Sequence, residues 1–140
     1  MKRGSYQINV SHKIDNNSGR TWRGNLYQQL QRKDYEDENQ SSFIYTYTGG
    51  ILYSPEEKYE KIDFSDMADE NLKRDIKDGW AAIIQHYFLA AWVPPAGSQQ
   101  SYYTRALNQS RYAMGMKATK DVTVSTGKNT VLHNILYVRT

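Results

Sequence analysis

A chain of 140 residues with a formal net charge of +3 is long enough for one core and one domain. Its pI near 9.0 and mean hydropathy of −0.81 describe a polar chain with a mild basic bias. Arg20, Arg23, Arg32 and Lys33 are offset by Asp34, Glu36, Asp37 and Glu38, so the clustered basic face that nucleic-acid binding requires is absent.

The absence of cysteine excludes disulfides, zinc–thiolate sites and thiol catalysis. The longest apolar run, Trp80 to Val93, is interrupted by Gln85 and His86. It falls short of the roughly 20 residues that a membrane-spanning helix needs. The first ten residues contain no apolar core like that of a signal peptide. Composition by itself therefore reads as cytosolic.

Tyr6, Ile8, Val10, His12 and Ile14 alternate with Gln7, Asn9, Ser11 and Lys13, the period of a half-buried strand. Asp15 to Gly19 is a turn cluster, since Asn and Gly tolerate positive φ. A second strand is expected from Trp22 to Gln31, and the polar segment Arg32 to Ser42 reads as an exposed loop. Phe43 to Thr48 has the aromatic and β-branched content of a strand, which Gly49-Gly50 then breaks or bulges. Tyr59 to Phe64 is a further short strand.

From Ser65 to Lys77 the pattern turns weakly helical, with Ser65 as a cap and Phe64, Met67, Ala68 and Leu72 on one side. Asp78-Gly79 closes it as a turn. In the next block Trp80, Ile83, Ile84, Tyr87, Phe88, Ala91 and Trp92 have helical spacing. The same run lies between a turn and Pro94-Pro95, and a strand buried on both faces imitates any period. Pro94 to Gln100 is a loop. Tyr102 to Leu107, Tyr112 to Ala118, Val122 to Val124 and Val131 to Val138 are strands, with a polar hairpin signal at Thr126 to Asn129. About eight short strands at this spacing indicate an antiparallel β-sandwich with at most one or two short helices.

Two stretches are more specific than any period. Tyr53-Ser54-Pro55 leads into the acidic and aromatic run Glu56 to Phe64, and a charged segment separates this from Gly79-Trp80, Gln85-His86-Tyr87-Phe88 and Ala91-Trp92-Val93-Pro94. The order closely resembles the large periplasmic domain of the YidC/Oxa/Alb family of membrane protein insertases. Lys2-Arg3-Gly4-Ser5-Tyr6-Gln7-Ile8-Asn9-Val10 is similar to a strand in the middle of that domain. Asn134-Ile135-Leu136-Tyr137-Val138 is similar to its last strand.

The resemblance covers nearly all of the chain and implies a single domain over residues 1–140. That domain would be the C-terminal part of a β-supersandwich of the galactose-mutarotase type. It implies that the first transmembrane helix, the N-terminal half of the periplasmic domain and the C-terminal membrane bundle lie outside this chain. The β architecture of the family also decides the Trp80 to Trp92 block in favour of one long central strand with a bulge near Gln85.

For function, the resemblance implies a non-catalytic scaffold and interaction domain in the periplasm, part of a bacterial inner-membrane insertase and chaperone. Its implied partners are the Sec translocon, SecDF and, through the membrane part, nascent membrane proteins. The alternative is a carbohydrate-binding or mutarotase-like sandwich on the same fold. A mutarotase needs a carboxylate and a histidine converging in a cleft. His12, His86 and His133 each lie in a strand-like run without an acidic motif at fixed offset, and fold alone does not carry function.

Glu56-Glu57 and Asp37-Glu38 lack the spacing of a calcium loop, and Gly49-Gly50 lacks that of a phosphate loop. No enzyme activity, metal or cofactor is expected. Twelve tyrosines and three tryptophans exceed what a small core requires, and such side chains suit interfaces. Tyr45, Tyr47, Tyr53, Tyr59 and Tyr87 are the candidates for a groove that receives an extended peptide or partner strand; strand packing is the plainer reading. The strand carrying Ile8 and Val10, with Trp22 beside it, is expected to be a cut edge that self-associates or is covered by Arg32 to Ser42.

Overall fold

The computed structural model describes residues 4–35 and 46–140. The first elements are β1 (Gln7–Asn16), β2 (Trp22–Gly24), β3 (Tyr27–Lys33), β4 (Thr48–Ser54) and β5 (Lys58–Ile62). The short helix α1 (Phe64–Asp69) precedes β6 (Lys73–Lys77), β7 (Trp80–Gln85) and β8 (Phe88–Val93). The chain continues through β9 (Gln99–Leu107), β10 (Arg111–Ala118), β11 (Val122–Val124) and β12 (Lys128–Arg139).

A six-stranded sheet has the order β1-β12-β8-β7-β4-β5 and a four-stranded sheet the order β3-β10-β9-β6, while β11 and β2 form a separate ribbon. Every pairing is antiparallel, so the all-β antiparallel sandwich holds.

The core lies between the two larger sheets. Leu52, Ile62, Ala81 and Ile83 from one meet Ile76, Tyr102, Met114 and Met116 from the other, and α1 contributes Phe64 and Met67. The Phe64 ring stacks on Tyr112 with centroids 4.9 Å apart. Gly50 sits where a Cβ would come within 2.7 Å of the Met67 methyl and 2.9 Å of the Met114 sulfur, so bare backbone brings the helix and the second sheet close.

In β1 the alternation reads as expected, with Ile8, Val10 and Ile14 half-buried and Gln7, Asn9, Ser11 and Lys13 exposed. Several boundaries differ. The Trp22 to Gln31 segment is two strands, because β2 pairs with β11 whereas β3 pairs with β10. Gly49-Gly50 lies inside β4 and does not break it. β11 and β12 belong to different sheets, so the Thr126 to Asn129 turn joins layers and does not make a hairpin. There are twelve strands among the described residues, not eight. The loop expected over Arg32 to Ser42 begins later, since β3 runs to Lys33. Residues 36–45, and with them Asp37, Glu38 and the first half of the expected Phe43 to Thr48 strand, lie outside the described residues. Of the other half, Thr46 and Tyr47 are not strand, and β4 begins only at Thr48.

The long central strand is a hairpin. β7 and β8 pair in register from Ala81–Trp92 to Gln85–Phe88, leaving His86 and Tyr87 as the turn where a bulge was expected. His86 takes φ 47°, and its Nδ1 is 2.9 Å from the Thr46 hydroxyl. Both strands carry apolar side chains on both faces, which is how their sequence imitates a helix.

The helix is also shorter than the Ser65 to Lys77 reading, and its cap is Asp63, in extended conformation. The Asp66 carboxylate accepts the Asp63 backbone N–H at 3.1 Å, half of a capping box. Lys73 to Lys77 is a strand because it is the edge of its sheet, where charged side chains remain in water and only Ile76 is buried.

Candidate interaction site

The six-stranded sheet has a second apolar face, turned away from the core. Its register places Ile135, Val93, Trp80, Tyr53 and Tyr59 in one row across five strands, and Tyr137, Ala91, Ala82 and Ile51 in the next. Trp80, Leu89, Ala91, Val93, Ile135 and Tyr137, with Gln7 at the rim, line a depression of about 250 Å³. Tyr53 stacks on Trp80 with centroids 5.4 Å apart and planes 6° from parallel. Tyr59 meets both, at 5.4 Å and 5.7 Å. A sheet apolar on both sides has the character of an inner layer.

The structure brings Tyr47, Tyr53 and Tyr59 to this face. Tyr47 lies over Gly49, where a Cβ would come within 2.6 Å of its hydroxyl, and donates to the Gly50 carbonyl at 2.8 Å. Burial, and after it the Asp63 carboxylate, push its phenol well above the ordinary value. Lys61 sits 4.8 Å from its ring centroid. Tyr59 is 71% exposed. Tyr87 is not with them: it projects from the β7–β8 turn, 86% exposed. Tyr45 lies outside the described residues. Reading the sequence for tyrosines missed Trp80, Leu89, Ile135 and Tyr137. The signal that marks them is the run of apolar residues on both parities of β7 and β8.

His86 and His133 face hydroxyls, Thr46 and Ser11, each at 2.9 Å; all three histidines are exposed. Glu56 and Glu57 occupy the β4–β5 turn, where Glu57 N–H donates to the Ser54 hydroxyl at 3.0 Å. Among the described residues no group of three or more His, Asp or Glu side chains is placed to hold a metal. No helix among them is long and apolar enough to cross a membrane.

Comparison with known proteins gives this architecture its family. The pattern of the YidC periplasmic domain matches residues 1–138. The chain belongs to the YidC periplasmic domain family. It is 46% identical over 138 residues to the membrane protein insertase YidC of Alkalilimnicola ehrlichii, covering 99% of this chain and 24% of the relative. Identity to the YidC of Methylococcus capsulatus is 49% over 116 residues, covering 82% and 21%. The YidC of Methylobacillus flagellatus is 36% identical over 137 residues, covering 98% and 24%. The chain thus spans about a quarter of the length of these YidC relatives. The apolar outer face of β12, β8, β7 and β4 is therefore a feature of a YidC periplasmic domain.

Proposed function

We propose that this chain is a docking and scaffold domain of a bacterial inner-membrane protein insertase, held on the periplasmic side. The insertion step belongs to membrane-embedded parts of the whole protein. The Sec translocon with SecDF, and membrane proteins in the course of insertion, are its partners. Its own contribution is binding, without turnover. One observation carries this reading: the outer face of the six-stranded sheet, with the Tyr53–Trp80–Tyr59 cluster and the depression beside Tyr137, offers apolar and aromatic surface to a partner. Aromatic side chains in such a face bury large area at low entropic cost.

A photo-reactive residue placed at Trp80 or Tyr137 in the complete insertase should give adducts with SecDF or with a substrate protein. Adducts confined to the insertase's own chain would make the face an internal layer and remove the docking role from it.

A further inference from the structure

The outer face of the four-stranded sheet has a different chemistry. β9, β10, β3 and β6 form an open trough of about 760 Å³ whose lining includes Tyr27, Gln29, Lys73, Tyr103, Arg105 and Lys117 and no acidic residue. Its centre is built around Gly115. The register sets Gly115 between Gln29 on one side and Tyr103 on the other, with Lys73 opposite Tyr103 on the next strand. A Cβ on Gly115 would come within 2.8 Å of the Tyr103 hydroxyl and 2.5 Å of the Gln28 carbonyl. Only glycine lets the Tyr103 ring lie across β10, so that its hydroxyl donates to the Gln29 side-chain oxygen at 2.9 Å. The Arg105 guanidinium packs over the same ring at 5.5 Å.

Lys73 is paired with Tyr103 across β6 and β9, Lys117 lies two residues beyond Gly115 on β10, and both line the trough with Arg105. The ion pairs among the described residues are Lys13–Asp15, Arg23–Asp121 and Arg74–Glu60, and none of them involves Lys73, Arg105 or Lys117. Asp75, the next residue along β6 on that face, lies outside the lining. Three cations without an ion pair among the described residues, in a concave site, favour an anion, and arginine beside lysine suits a phosphate group. The amide of Gln29 and the phenols of Tyr27 and Tyr103 donate and accept, as hydroxyl groups require. The site is on the face of the sheet, where side chains and not backbone groups line it.

We propose that this trough binds a phosphorylated polyol, its phosphate among Lys73, Arg105 and Lys117 and its hydroxyls on Gln29, Tyr27 and Tyr103. The same chemistry reaches the site as a soluble sugar phosphate or as the headgroup of an anionic phospholipid.

Two measurements on the purified protein separate these sources: calorimetric titration with glucose 6-phosphate, and flotation with vesicles of phosphatidylglycerol in phosphatidylcholine. Saturable binding in either supports the site, provided that glucose, or vesicles of phosphatidylcholine alone, bind much more weakly. Combining Arg105→Gln with Lys117→Gln should weaken it roughly tenfold or more, from the loss of charge-assisted hydrogen bonds. Lys128→Gln, on the other sheet, should leave it unchanged. Both altered cations are exposed, and an unchanged thermal melt checks that the fold is intact. Binding of neither probe, equal binding of glucose and its phosphate, or equal losses in the double variant and Lys128→Gln would overturn the proposal.

Discussion

Arg74 and Glu60 join the two sheets at one border of the sandwich. The guanidinium donates Nη1 to one carboxylate oxygen at 2.7 Å and Nη2 to the other at 2.6 Å. Glu60 belongs to β5, the edge of the six-stranded sheet, and Arg74 to β6, the edge of the four-stranded sheet. A bidentate pair there closes the gap between layers where apolar packing ends.

The hydrogen bonds from Arg74, outweighing partial burial, hold the Glu60 carboxyl below its ordinary value of 4.5. A depressed carboxylate contributes stability above the unfolded-state value and loses it as pH falls through the lower folded value. Both side chains are more than a third exposed, so water screens the pair and about 1 kcal/mol is the expected scale. A double-mutant cycle with Glu60→Gln and Arg74→Gln should show this coupling in urea unfolding at pH 7 and little of it near pH 3. Equal coupling at both values would mean that the charge of Glu60 is not what joins the sheets.

Gly79→Ala should destabilise the fold by about 1–3 kcal/mol. The new methyl would lie 2.6 Å from the Tyr53 carbonyl and 2.9 Å from an Ile76 methyl, and backbone on a paired strand cannot step aside. Thermal melting of the variant checks it; an unchanged midpoint would show that β4 yields more easily than its pairing suggests.

Asn16 should be as sensitive as a core residue. Its buried amide donates at 2.8 Å to both the Arg20 and Val124 carbonyls and accepts from the Ser18 N–H at 3.0 Å and hydroxyl at 2.7 Å. Asn16→Ala takes this donor from the buried Val124 carbonyl, whereas the Arg20 carbonyl keeps the Ser18 hydroxyl at 3.0 Å, at a cost of about 1–3 kcal/mol. Asn16→Asp removes the donors as well and sets a charge against both carbonyls, so at pH 7 it should cost at least as much. Chemical denaturation ranks the two; an Asp variant as stable as the parent contradicts this account of the turn.

Tyr102→Phe should be neutral or slightly stabilising. The side chain is fully buried, and its hydroxyl has no hydrogen-bond partner among the described residues. Removing an unsatisfied buried polar atom ends a desolvation cost. A loss above about 1 kcal/mol in denaturant unfolding would point to a partner, such as a bound water.

β1 should carry any self-association of the chain. It pairs with β12 on one side, and no strand among the described residues takes its other side, leaving a ten-residue edge open to a second copy. Light scattering should rise with concentration, with β1 amides gaining hydrogen-exchange protection. A monomer throughout, or protection gained elsewhere, would assign the edge no such role.

Much of the β architecture was legible locally. The alternation around Ile8, Val10 and Ile14 marked β1, and Val122 to Val124 coincided with β11, because period 2 and turn residues act over a few positions. The Tyr53-Ser54-Pro55 and Ala91-Trp92-Val93-Pro94 blocks pointed to the family for the same reason: they are contiguous.

What required the tertiary structure is whatever depends on a distant strand. The Trp80 to Val93 run becomes a hairpin because β4 and β12 pair with its two arms, and its turn at His86-Tyr87 has none of the Gly or Asn chemistry that announces a hairpin. Lys73 to Lys77 becomes a strand because β9 offers it an edge, whatever its charges prefer alone. The expected tyrosine groove was partly a matter of parity, which places Tyr53 and Tyr59 beside Trp80, and partly of a turn that sends Tyr87 elsewhere. The trough around Gly115 was invisible in the sequence. Its residues come from four strands, and only sheet order sets Lys73, Tyr103, Gly115 and Gln29 side by side. Patterns of burial are local, whereas the choice of neighbouring strands is a long-range competition that local sequence does not encode.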